Sequence, residues 1–318
     1  MSEATRDHRL DGLEPDNLLA FLALLGLLRA LEAARPDWRP RVGWTLGAPP
    51  VRPLLRLREP ATADAVCEAA AEGVALLAPA HAFGGRKDLD HTPTEARALL
   101  DEAREAGGYR ADIVAALMSD GALKEAQGKP LDQVEATPLC VMFGQGHQHF
   151  LQRLAAVPNL PAPPPRGRGK KAQEVTPEQA IREALYELWD RPDPTMSFRW
   201  DVAEDVRYAL QFGDPSEGKN KQGTQHGANR LAAIGLACLP ASPARIGRRH
   251  RPTPPGGRWP PGGFALSWPL MEEPVSLSAL VSAMDAEDQS PPGPRVRTRR
   301  QSVGKFMSFT PGRTVEED

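Results

Sequence analysis

Residues 15–34 read PDNLLAFLALLGLLRALEAA. The unbroken apolar run, Leu18–Leu28, is eleven residues long, whereas a membrane span needs about 20. Arg6 and Arg9 precede it, as basic residues precede a signal-peptide core. Asp11, Glu14 and Asp16 interrupt that basic region, however, and no small-x-small cleavage site follows. The stretch therefore reads as a buried first helix. Asp16 or Asn17 can accept from its free N–H groups, and Arg35-Pro36 ends it. Apolar side chains cover nearly every side, so several elements must bury it. Gly26 in its middle weakens the helix and admits close approach of a neighbour.

Outward from this helix, Arg41–Leu57 alternates as two short strands around an Ala48-Pro49-Pro50 turn. Thr62 caps an alanine-rich helix to Leu77. Thr92–Ala106 is a helix with Pro93 in its first turn and Gly107-Gly108 at its end. Further helices are expected over Ala111–Met118, His149–Val157, Thr176–Trp189 (a Thr176/Gln179 capping box), Gly227–Leu239 and Ser276–Met284. Asp201–Phe212 fits helix or strand equally. Phe264–Leu270 reads as a strand, and residues 252–263 as a Pro/Gly-rich loop. No regular strand–helix alternation occurs, which excludes a doubly wound sheet. The expected class is α+β, mostly helical, with a few short strands and irregular Pro/Gly-rich loops. The expected organisation is an N-terminal helical domain with short strands (1–160), a Pro/Arg/Gly-rich linker (161–175), a C-terminal α+β region carrying polar and basic loops (176–288), and a flexible tail (289–318).

Composition narrows the function classes. Lys and Arg number 39 against 41 Asp and Glu, a formal net charge of −2. Any basic surface must therefore be local or supplied by a partner. The 33 prolines are about twice the usual share and mark linkers and irregular loops. Three widely spaced cysteines, Cys67, Cys140 and Cys238, form no CxxC pair. That excludes a zinc ribbon or disulfide framework and fits reduced thiols in a cytoplasmic protein.

The densest polar chemistry lies in residues 198–239, FRWDVAEDVRYALQFGDPSEGKNKQGTQHGANRLAAIGLACL. Arg199, Arg207, Lys219, Lys221, Gln225, His226, Asn229 and Arg230 are residue types that suit a phosphate backbone or a base. A solvated face, with Asp201, Glu204 and Asp205 neutralising the arginines, is the plainer alternative. Gln145 and His147 lie in a GQGHQH run. It fits a structural turn, anion capture by free N–H groups, or an HxH metal pair of His147 with His149. Arg245–Arg258 holds five arginines without an acid; Arg248, Arg249 and Arg251 are its candidate phosphate contacts. Asp88, Asp90 and His91 form a DxDH cluster with a possible metal-binding pattern, although a loop before the Thr92 cap explains it equally. Walker A, nucleophile-elbow, HExxH and GxGxxG patterns are absent.

Three stretches resemble proteins encoded in type I-G (formerly I-U) CRISPR–Cas loci. They are LDGLEPDNLLAFLALLGLLRALE (Leu10–Glu32), TPLCVMFGQGHQHFLQ (Thr137–Gln152), and FRWDVAEDVRYAL with GDPS and HGANRLAAIGL (Phe198–Leu236). The resemblance covers about a quarter of the chain and includes no catalytic motif. It implies a large-subunit-like or helicase-nuclease-extension-like component of a bacterial RNA-guided antiviral complex. Its partners would be other complex subunits and CRISPR RNA and/or target DNA, with no cofactor, no metal and no membrane. Such complexes hold their hybrids through backbone geometry, while base pairing supplies sequence specificity. The rival expectations are a metal-dependent nuclease, using His147, His149 and the Asp88–His91 cluster, and a pure protein–protein adaptor.

Overall fold

The computed structural model describes residues 3–142, 149–167, 169–203, 223–286, 293–303 and 306–315. Strand β1 (Thr5–Arg9) leads into helix α1 (Leu18–Ala34), followed by β2 (Arg41–Trp44), β3 (Pro53–Ala61) and α2 (Ala63–Leu77). Helices α3 (Pro93–Ala106) and α4 (Gly108–Leu117) precede the hairpin β4 (Met118–Ala126) and β5 (Lys129–Ala136). Next come α5 (Phe150–Asn159), α6 (Pro177–Tyr186) and α7 (His226–Gly235), then β6 (Ser242–Ile246), β7 (Arg249–Thr253), β8 (Gly257–Arg258) and β9 (Ala265–Pro269). Helix α8 (Leu277–Asp285) and strands β10 (Arg295–Val303), β11 (Phe306–Phe309) and β12 (Arg313–Val315) complete the order. The class is α+β with helix ahead of strand, 38% against 26%, the strands lying in several small antiparallel sheets.

Helix α1 is the hub. Asn17 caps it, its side-chain oxygen accepting from the Leu19 N–H at 3.0 Å. Thirteen of its residues are buried, as an all-round apolar helix requires. Among the described residues, no helix is long and apolar enough to cross a membrane. Gly26 does what the sequence suggests. A Cβ there would stand 1.8 Å from the Leu231 carbonyl oxygen of α7, and one at Gly235 of α7 would stand 2.0 Å from the Leu22 oxygen. The two backbones thus touch at a glycine–glycine crossing. A second contact is made by α2, whose Gly73 sits against Ala30. Phe21 stacks on Trp268 of β9, with ring centroids 4.6 Å apart, joining α1 to the largest sheet.

That sheet runs β11-β10-β9-β8, with β12 also on β10. Its central strand belongs to the segment expected to be a flexible tail, so that expectation is corrected. In β10, Arg295, Val296 and Thr298 are buried, and Val296 pairs with Trp268 in register. A three-stranded sheet, β1-β3-β2, lies near the N-terminus, with Val42 opposite Leu55.

The hydrophobic core is one cluster, running from Leu10 to Phe309. The 161–175 stretch accordingly does not separate one core from another. It is docked by Arg166, which donates to Glu183 of α6 at 2.6 and 2.9 Å and to Asp193 at 2.8 Å. The Thr176 cap forms, accepting from Gln179 N–H at 3.2 Å. The Gln179 side chain goes to Glu183 instead of closing the expected capping box.

Candidate nucleic-acid interface

Of the residues of 198–230 that the structure describes, 198–201 and 224–230 are interior. Phe198 and Trp200 stack with centroids 4.4 Å apart, and the Trp200 indole donates to the Leu139 oxygen at 2.9 Å. Between them Arg199 takes a left-handed conformation, φ 60°, and is buried. Asp201 receives two hydrogen bonds from Arg191, at 2.6 and 3.1 Å, and one from Asn17 at 2.9 Å. The block is thus tied directly to the α1 cap. Arg207, Lys219 and Lys221 lie outside the described residues.

Helix α7 and its cap hold four further candidates: all ten residues of the helix are buried, and so is Gln225 before it. Gln225 accepts from the Arg191 N–H at 3.3 Å. Asn229 returns its side-chain N–H to the Gln225 carbonyl at 3.1 Å. His226 shares a 2.9 Å hydrogen bond with the Leu160 carbonyl. Burial, helped by the Arg230 charge, pushes its pKa down to about 4, leaving a neutral ring at neutral pH. Arg230 donates to the Pro161 and Pro158 carbonyls at 2.8 and 3.4 Å. Burial lowers its pKa to about 10, so it stays charged. These side chains tie the 158–161 segment and Arg191 to the helix core and are buried like Arg199, His226 also lining a cavity with Leu160, Pro194 and Met196. The physical reason is that α7 is packed between α1, α5 and α6, so its polar side chains pair with backbone instead of meeting solvent.

The candidate metal groups meet only in part. His149 Nδ1 lies 2.8 Å from Asp88 Oδ2, and Asp90 accepts from Arg86 at 3.0 Å. His91 is buried. Among the described residues, no group of three His, Cys, Asp or Glu could hold a metal ion. Gln145 and His147 lie outside the described residues.

The 245–251 run forms a hairpin. Strands β6 and β7 pair with Ile246 opposite Arg249 and Ala244 opposite Arg251, turning at Gly247 (φ 64°) and Arg248. Two arginines anchor it. Arg251 meets Glu135 at 2.6 Å and lies 3.3 Å from the Trp259 ring centroid. Arg249 reaches Glu125 at 3.4 Å. Arg245, Arg248 and His250 remain exposed along the hairpin and its tip. Of the three candidate arginines in this run, Arg248 is solvent-facing, while Arg249 and Arg251 are half-buried.

Two concave surfaces lie elsewhere. One, beside Phe83 and Gly84-Gly85, is lined by Arg86 and Arg110, but Glu95 and Glu102 pair with them at 3.1 Å each. The other, on the β1-β3-β2 sheet, is lined almost wholly by arginine. The sequence signal for it is the period-2 repeat Arg56, Arg58 on a strand, which places both on the outer face. Compared with known proteins, the chain matches no protein family and no curated relative.

Proposed function

We propose that this chain is a non-catalytic subunit or accessory of a type I-G CRISPR interference complex that contacts nucleic acid or a partner subunit. The resemblance supports the system. The observation that supports contact is the β6–β7 hairpin. Its anchoring arginines are held by Glu135, Glu125 and Trp259, while Arg245 and Arg248 project into solvent with no carboxylate partner among the described residues. A two-stranded ribbon held at its base and bearing cationic forks suits a phosphate backbone. The near-neutral net charge leaves the remaining electrostatic work to neighbouring subunits.

The resembling segments meet in the core. The Trp200 carbonyl accepts the Leu19 N–H at 3.1 Å, Trp200 reaches Leu139, and Asp201 holds Asn17. These described residues of the resembling blocks serve the fold. The test is co-expression with the neighbouring proteins of its locus, purification on a tag carried by this chain, and extraction of bound nucleic acid. The expected result is a salt-sensitive complex containing RNA, with recovery lowered several-fold by R245A/R248A. Absence of any co-purifying subunit, or RNA recovery unchanged in that variant, would refute the reading.

A further inference from the structure

The groove on the β1-β3-β2 sheet breaks a rule that the rest of the N-terminal half obeys. Thirteen arginines lie in residues 3–142. Nine hold an ion pair: Arg9, Arg29, Arg35, Arg52, Arg56, and the four at 86, 97, 104 and 110. The four that hold none with a described residue are Arg6, Arg39, Arg41 and Arg58, and all four line this one groove of about 540 Å³. Among the described residues, Asp7 is the only acid in its lining, and it is committed to Arg56, at 2.7 and 2.9 Å. Glu273 adds a weaker field at Arg56 from outside the lining.

The strand register fixes the centre of the array, and a shift between β1 and β3 interrupts it beyond Arg56. Arg56 of β3 stands between Asp7 of β1 and Arg41 of β2. Arg58 follows two residues on, in the stretch where the register with β1 shifts, and is exposed like Arg56. Directly opposed like charges are unfavourable in a sheet, and Asp7 relieves only one side of Arg56. At the mouth, Arg39 holds a left-handed conformation, φ 44°, where the chain turns from a short 3-10 helix into β2. Uncompensated like charge gathered on a rigid sheet is what an anionic ligand would relieve.

We infer that this groove is a sequence-independent site for the phosphodiester backbone of a nucleic acid, distinct from the hairpin. Arginine forks match phosphate oxygens in paired hydrogen bonds. Among the described residues, the lining holds no aromatic ring for base stacking and no amide side chain for base reading, so contact is with the backbone alone. An acidic protein partner fits less well. Protein interfaces have an apolar core, and here the only apolar lining residue described is Leu57.

The assay is fluorescence anisotropy of the isolated full chain with a labelled mixed-sequence 20-nucleotide DNA, single-stranded and duplex, titrated over a range of salt. The triple variant R6A/R41A/R58A should bind at least tenfold more weakly. Its log–log salt slope should fall by about 2 on the single strand, from about 0.7 per lost phosphate contact. The charge-retaining R6K/R41K/R58K protein should keep the slope, and R245A/R248A should keep groove binding, which separates failure here from failure of the hairpin reading. Circular dichroism checks that each variant is folded; should the triple variant unfold, R58Q alone must still lower affinity. Unchanged affinity and slope in a folded groove variant would overturn the assignment. So would polyglutamate of matched charge binding as tightly as the oligonucleotide through the same three arginines.

Discussion

Replacing Gly26 or Gly235 by alanine tests the crossing on which the fold turns. Alanine is the better helix former by about 1 kcal/mol, so an uncrowded helix would be stabilised by either change. Here the added carbon would stand 1.8 Å from the Leu231 oxygen for Gly26→Ala, or 2.0 Å from the Leu22 oxygen for Gly235→Ala. Ordinary contact begins near 3.4 Å, so α1 and α7 must separate by about 1.5 Å at the crossing. A gap of about 0.5–1 Å already forfeits a quarter to a half of each dispersion contact, and overpacking costs about 1–3 kcal/mol, occasionally more. Net of the propensity gain, and taking the upper part of that range because two backbones must part, each variant should lose about 1–2 kcal/mol. Thermal unfolding followed by intrinsic fluorescence reads this directly. At roughly 2–4 °C per kcal/mol, Tm should fall by about 2–8 °C. Gly47→Ala is the control, because nothing lies within 4 Å of its added carbon. A Tm for Gly26→Ala equal to or above wild type would refute the close crossing.

Two further outcomes follow from buried charge. His226 is neutral in the fold, with its pKa pushed from 6.5 down to about 4, whereas the unfolded chain protonates near 6.5. The unfolded state therefore binds more protons as pH falls, and stability is lost between about pH 6.5 and 4, by about 3 kcal/mol from this residue. Denaturation midpoints across that window should flatten in H226Q; a parallel profile would refute the assignment. Glu135→Gln removes the carboxylate holding Arg251 at 2.6 Å, a loss of about 1.5 kcal/mol. Local opening of the hairpin should rise about tenfold, and tryptic cleavage after Arg245, Arg248 and Arg249 should rise with it while the rest of the chain stays resistant. Equal cleavage rates would show that the hairpin is held by something else.

The elements of the fold legible in the sequence are those set by local chemistry. Asn17, Thr62, Thr92 and Ser276 cap their helices as their side chains suggest, and the apolar run of α1 announces its own burial. The elements that the sequence hides are polar strands. Strand β1 (TRDHR), the β4–β5 hairpin and β10 carry charged residues on both sides of the alternation, so period 2 is weak in them. Their turns are also unconventional: Gln127-Gly128, both with positive φ, does the work usually given to Asn-Gly. What holds these strands is pairing with distant segments, such as Val296 against Trp268, which no local window contains.

The polar block at 198–230 misleads for a related reason. Arginine, asparagine and glutamine at helical spacing look alike whether they face water or a neighbour's carbonyl groups. In α7 the small residues Gly227, Ala228, Ala232 and Gly235 let surrounding helices approach until no solvent remains. Gln225, Asn229 and Arg230 then become the partners of backbone groups that would otherwise be buried unpaired, at a cost of about 1–3 kcal/mol each. Such residues are constrained by the fold as tightly as catalytic residues are by chemistry, which is why a resemblance can concentrate on them without marking a contact surface. The arginines proposed to meet a polyanion, Arg6, Arg41 and Arg58 on the sheet and Arg245 and Arg248 on the hairpin, stand instead in short strands and turns. There no carboxylate among the described residues pairs with them.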